Sequence, residues 1–98
     1  MKKIINENLP AKEIIDFRDS RGWDSHHTPS NLAKSISIES AELLELFQWD
    51  ESPQNIVRIK EELADILIYS ITLAERLDLN INEIILEKID KNAVKYPK

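Results

Sequence analysis

Residues 62–74 read Glu-Leu-Ala-Asp-Ile-Leu-Ile-Tyr-Ser-Ile-Thr-Leu-Ala. From Leu63 to Ala74 the apolar side chains run nearly all round a helix instead of along one stripe, and such a helix is buried on most sides. The longest apolar run, Ile66 to Ala74, is broken by Ser70 and Thr72. It is far short of the roughly 20 residues that span a bilayer. The segment is therefore expected inside protein. A chain of 98 residues makes a core, but not a generous one, so full cover of this helix calls for a second subunit. Glu62 and Asp65 stand at its N-terminal end, at i and i+3, which puts both carboxylates on one face. Asp is also a poor mid-helix residue.

Upstream, Ile56, Val57 and Ile59 against Arg58, Lys60 and Glu61 give the same helix an amphipathic first half. Ser52-Pro53 is read as its cap and first residue, and its end is near Leu77. Before it, Thr28-Pro29 repeats the cap-then-proline signal. The helix so opened carries Leu32, Ala33, Ile36, Leu43, Leu44 and Phe47 at helical period and ends near Trp49-Asp50. A first helix runs from Pro10 to about Ser20 with Ile14, Ile15 and Phe17 on its apolar side. Gly22 stops it, and residues 22–28 form a loop. Residues 1–8 are read as a frayed start. A fourth helix is capped by Asn80 or Asn82, carries Ile84, Ile85, Ile89 and Ala93, and closes at Pro97. The reading is all-α: four helices with short loops in a single domain, residues 1–98.

Composition narrows the function. The absence of cysteine removes disulfides, thiolate metal sites and a Cys nucleophile. A net charge of −5 argues against a general nucleic-acid-binding surface. No apolar stretch follows Lys2 and Lys3, so no signal peptide is expected. A soluble, cytoplasmic protein without membrane or nucleic-acid partners is the expectation.

The second helix carries Glu39-Ser40-Ala41-Glu42, with Glu45 one turn on, and nineteen residues separate Glu42 from Glu62. One Glu-x-x-Glu is usually a solvated helix face. Two such motifs, one abutting the most apolar stretch, are different. Antiparallel packing brings Glu39, Glu42, Glu62 and Asp65 into one cleft, where their repulsion calls for a divalent cation. Oxygen-only ligands suit Mg²⁺ or Mn²⁺ better than zinc. His26 and His27 lie in the loop, and no Glu-x-x-His exists, so di-iron chemistry is disfavoured. Lys88, Lys91 and Lys95 complement a helix dipole and also suit phosphate. Trp23 and Trp49, near the two ends of the second helix, are packing residues or faces for a nucleobase, and Tyr69 lies one turn after Asp65.

These residues carry a resemblance. Glu-x-x-Glu, spacer, Glu-x-x-Asp is similar to the all-α nucleoside triphosphate pyrophosphohydrolases of the MazG-like and dCTP pyrophosphatase-like family. The likeness extends through Phe17-Arg18-Asp19, Arg21-Gly22-Trp23, His27-Thr28-Pro29 and Asn31-Leu32. It continues in Leu46-Phe47-Gln48-Trp49, Glu62 to Tyr69, and Lys88, Asn92 and Lys95-Tyr96-Pro97. It covers roughly residues 14–97. Ser37 and Ser40 stand where the family often has glycine.

The resemblance implies a four-helix fold associating as a homodimer or homotetramer. It implies a house-cleaning enzyme that cuts a nucleoside triphosphate to the monophosphate and pyrophosphate. Glu39, Glu42, Glu62 and Asp65 would hold Mg²⁺, with Mn²⁺ as substitute, and Glu39 or Glu42 would take the proton of the attacking water. Lys88, Asn92, Lys95 and Arg18 would bind the triphosphate, while His27, Trp49 and Tyr69 would line the base and sugar pocket. dCTP or a modified dCTP is the leading substrate, ahead of dUTP or a broad dNTP range. A non-catalytic nucleotide- or protein-binding helical module is the reading of a different class.

Overall fold

The computed structural model describes residues 9–49, 51 and 55–98. They form four helices and, among the described residues, no strand: α1 (Ala11–Ser20), α2 (Pro29–Glu45), α3 (Ile56–Arg76) and α4 (Ile81–Lys95). The all-α reading holds. The expected frayed start and the Ser52-Pro53 cap lie outside the described residues.

Local chemistry sets the boundaries. The Thr28 side chain accepts from the Asn31 N–H at 3.1 Å, and Pro29 follows as the first helical residue. Asn55 caps α3 through the Arg58 N–H, and Asn80 caps α4 through the Glu83 N–H. α2 ends at Glu45, earlier than the Trp49-Asp50 expected. There the N–H groups of Leu46, Phe47 and Gln48 turn to carbonyls three residues back, so the chain leaves the helix through tighter turns. α1 ends with Gly22 in the left-handed region, φ 65°. The Gly22 N–H reaches the Asp19 carbonyl and the Trp23 N–H the Arg18 carbonyl, a Schellman ending. α3 ends in the same way, with Asp78 in the left-handed position at φ 55°.

The principal packing is α2 against α3. α1 lies on α3 as well, and α4 touches α3 but neither α1 nor α2. Leu32 of α2 is 1 % exposed and meets a core of Ile71 and Ala74 from α3. The hydroxyls inside the apolar stretch are satisfied within the helix: Ser70 donates to the Ile66 carbonyl at 2.7 Å and Thr72 to that of Ile68 at 2.8 Å. Arg18 ties α1 down through Glu75 of α3 at 2.8 Å. One chain does not cover α3 on all sides. Leu63, Leu67 and Ile68 are about half exposed, as are Ile85 and Ile89 of α4, and no residue of α4 is buried.

Candidate metal centre and nucleotide site

Glu39 and Glu42 lie one turn apart on α2, and Glu62 lies on the face of α3 that α2 covers. Packing of the two helices brings one oxygen of each carboxylate within 4.8 Å of the others. Glu62 is only 6 % exposed. Its Oε1 accepts from the Arg58 guanidinium, one turn earlier on α3, at 3.3 Å. Its Oε2 is buried without a partner, and so is Oε2 of Glu39. Unpartnered buried oxygens are costly. The neighbouring Glu62 carboxylate, then burial, then Glu42, push the Glu39 carboxyl up to about 7, while Glu39 beside it holds Glu62 below the usual carboxylate range.

A small divalent cation fits this set. Oxygens on opposite sides of Mg²⁺ lie about 4 Å apart, close to the spread of the trio. The two orphaned oxygens are ligands waiting for a positive charge, and all the donors are hard. Asp65, one turn beyond Glu62, is partly buried and stands outside the close trio, as does the exposed Glu45. Asp65 is nonetheless near: its charge, after burial and the charge of Glu39, helps raise the Tyr69 phenol above its ordinary value.

Tyr69 connects the acids to the loop. Its ring meets His27 edge-on at 6.2 Å, His27 meets Trp23 at 6.1 Å, and Trp23 meets Phe17 at 5.5 Å. The result is a row of four rings running from the acidic cluster across the 22–28 loop. Burial, with the charges of Arg18 and Arg76, lowers the His27 pKa and keeps its ring neutral at pH 7. Nδ1 of that ring is buried without a partner. The loop is fixed at two points. The Asn31 side chain donates to the His26 carbonyl at 3.0 Å, and Arg76 donates to the Asp24 carbonyl.

The other candidates are more scattered. Trp49 is 90 % exposed just beyond α2. Arg18 is buried and already paired with Asp19 and Glu75. Lys88, Asn92 and Lys95 lie on α4, which does not contact α2. Sequence reasoning missed Arg58 and Arg76, and left Trp23 undecided. The i, i+4 spacing of Arg58 and Glu62 was a readable signal. No local pattern announces the pairing of Arg76 with Asp24, 52 residues away.

Comparison with known proteins gives consistent results. A profile described as the MazG-like family matches residues 34–98. The dCTP pyrophosphatase 1 of Bos taurus is 40 % identical over 91 residues, covering 84 % of this chain and 54 % of that protein. Its Homo sapiens counterpart is 36 % identical over the same shares. The chain thus spans about half the length of the curated relatives it matches. The crystal structure of a pyrophosphatase from Archaeoglobus fulgidus DSM 4304 aligns with a TM-score of 0.82 at 44 % identity, over 98 % of this chain and 100 % of that one.

Proposed function

The chain belongs to the MazG-like family, and from that premise we propose that it is a nucleoside triphosphate pyrophosphohydrolase dependent on a divalent cation. The reaction is (d)NTP plus water to (d)NMP plus pyrophosphate. The observation that carries the reading is Glu62: a carboxylate 6 % exposed, with one oxygen unpartnered, facing two further carboxylates across a helix interface. Such an arrangement is costly unless a cation joins it.

In this reading Glu39, Glu42 and Glu62 hold the cation, and Asp65 completes the set from the next turn of α3. Mg²⁺ is the proposed ion, with Mn²⁺ as substitute. The bound cation supplies charge neutralisation of the triphosphate and acidifies a water. Glu42 or Glu39 accepts the proton of the attacking water. Tyr69 and His27 line the base and sugar, and the neutral imidazole has a free ring nitrogen to offer. Trp49 adds a stacking face. Lys88, Asn92 and Lys95 hold the phosphates from α4. Arg18 serves that role only if phosphate displaces Asp19 and Glu75, so its main contribution is to hold α1. The leading substrate is dCTP or a modified dCTP, ahead of dUTP or a broad dNTP range, and the relatives named dCTP pyrophosphatase support dCTP. The half-exposed apolar faces of α3 and α4 support a homodimer or homotetramer. No described helix is long and apolar enough to cross a membrane, and a dNTP substrate suits a cytoplasmic place.

The test is pyrophosphate release from a panel of canonical and modified triphosphates, with and without Mg²⁺, beside Glu42→Gln. Cation-dependent release of pyrophosphate, not single phosphate, that is lost in the variant is the expected result. Nucleotide binding without release from any member of the panel would replace the enzyme with a binding module.

A further inference from the structure

Arg58 is not in the acidic set and belongs to none of the motifs quoted above, yet it is the one cationic side chain in ion-pair contact with the trio among the described residues. Its contact with Glu62 is a single one at 3.3 Å, not a two-pronged fork. The guanidinium is not sequestered: its side chain is 49 % exposed, while that of Glu62 is 9 % exposed. A half-exposed arginine held by one long bond to a nearly buried carboxylate is easily released. It holds Oε1 of the same carboxylate whose unpartnered Oε2 a cation would use.

We propose that Arg58 is a resident counter-charge for Glu62 that competes with the divalent cation for this carboxylate and, once displaced, turns its guanidinium onto the triphosphate. The inference rests on the reading of Glu39, Glu42 and Glu62 as cation ligands, and adds a residue to it. Three features support it. First, two positive charges share one carboxylate poorly, so cation entry weakens the hold of Glu62 on Arg58. Second, the phosphate of a triphosphate whose cation the trio held would come close to Glu62, inside the reach of an arginine one helical turn away. Third, a planar guanidinium donates two parallel N–H groups to phosphate, a geometry that lysine lacks. Arg58 would then act in opposite senses on the two ligands: it weakens binding of the free cation and strengthens binding of the cation–triphosphate complex.

The opposite signs make the test. Mn²⁺ binding is titrated by calorimetry and by the loss of free Mn²⁺ resonance. It is followed by binding of a dCTP analogue with a non-cleavable α–β bridge at saturating Mn²⁺. The proteins are the full chain, Arg58→Gln, Arg58→Lys and Glu62→Gln. In Arg58→Gln we expect Mn²⁺ to bind about three- to tenfold more tightly and the analogue about tenfold more weakly. In Arg58→Lys, Mn²⁺ affinity stays near that of the native chain and the analogue is only partly recovered. If Glu62→Gln weakens Mn²⁺ binding but Arg58→Gln changes neither affinity, Arg58 is an ordinary helix ion pair. The inference then fails and the cation site stands. Weaker Mn²⁺ binding in Arg58→Gln would mean that Arg58 positions Glu62, and also overturns the inference. If the native chain binds no Mn²⁺, the cation reading fails and takes the inference with it.

Discussion

Replacing Glu39 by Gln should make the cation-free protein more stable at pH 8. The folded environment raises this carboxyl from 4.5 to about 7, chiefly through Glu62, so above pH 7 the fold carries a negative charge at Glu39 that it resists. The sign follows from proton binding. Between pH 4.5 and 7 the native state holds a proton that the unfolded chain has lost, so stability falls as pH rises through that window and levels off above it. At about 1.4 kcal/mol for each tenfold shift, the full effect is about 3.4 kcal/mol. Glu39 is only partly buried, and solvent screening reduces the figure to about 1–2 kcal/mol. Gln is isosteric and its amide can donate toward Glu62 as a protonated carboxyl can. The assay is urea unfolding in EDTA at fixed protomer concentration. Glu39→Gln should unfold at a midpoint about 1 M higher at pH 8, for a slope of about 1–2 kcal/mol per M. At pH 4.5 the two proteins should nearly coincide. Saturating Mg²⁺ should stabilise the native chain more than the variant and narrow or invert the gap at pH 8. A variant no more stable than the native chain at pH 8, or a gap of equal size at pH 4.5, would refute the reading of Glu39 as a carboxyl held protonated beside Glu62.

Three further outcomes follow from the same geometry. Leu32→Ala removes a side chain 1 % exposed between α2 and α3, and should lower the unfolding free energy by about 3 kcal/mol in chemical denaturation. Asp78→Gly relieves a left-handed non-glycine residue at the end of α3 and should raise the free energy of unfolding by about 0.5–1 kcal/mol; no change would mean that the Asp side chain contributes as much as its backbone strain costs. Trp49→Ala should leave denaturant stability within about 0.5 kcal/mol, because the ring is 90 % exposed, while raising KM for the preferred triphosphate severalfold with little change in kcat.

Those outcomes divide along what the sequence could and could not convey. The helices were legible because their signals are local. Thr28-Pro29 and Gly22 mark ends through chemistry confined to one turn, and the period of Leu32, Ile36 and Leu43 marks a buried face. Where the local signal was ambiguous, the boundary moved. Ser52-Pro53 reads as the start of α3 and lies outside the described residues; the described helix begins at Ile56 with Asn55 as its cap, a role that any short polar side chain with an oxygen can fill. The meeting of Glu39 and Glu42 with Glu62 was legible for a different reason. Two i, i+3 acid pairs on amphipathic neighbours have few other ways to pack, and Glu62 stands next to the most apolar stretch. Asp65, at the same spacing, falls outside the close trio although it lies between Glu62 and the Ile71 core, because a shared helix face does not set how near each carboxylate comes to α2. Arg76 and Asp24 illustrate the limit. Their contact depends on where a loop lands across the end of another helix, and neither residue differs locally from any solvated charge. The same limit applies to α4. Its lysines were read as phosphate ligands from a pattern, but the pattern has no term for position, and in one chain α4 rests on α3 alone with its apolar residues open. An apolar stripe states that a face will be covered and is silent about which molecule covers it. The open stripes of α3 and α4 therefore make assembly the first thing to measure for the phosphate role proposed for α4, whereas Glu39, Glu42 and Glu62 already meet inside a single chain.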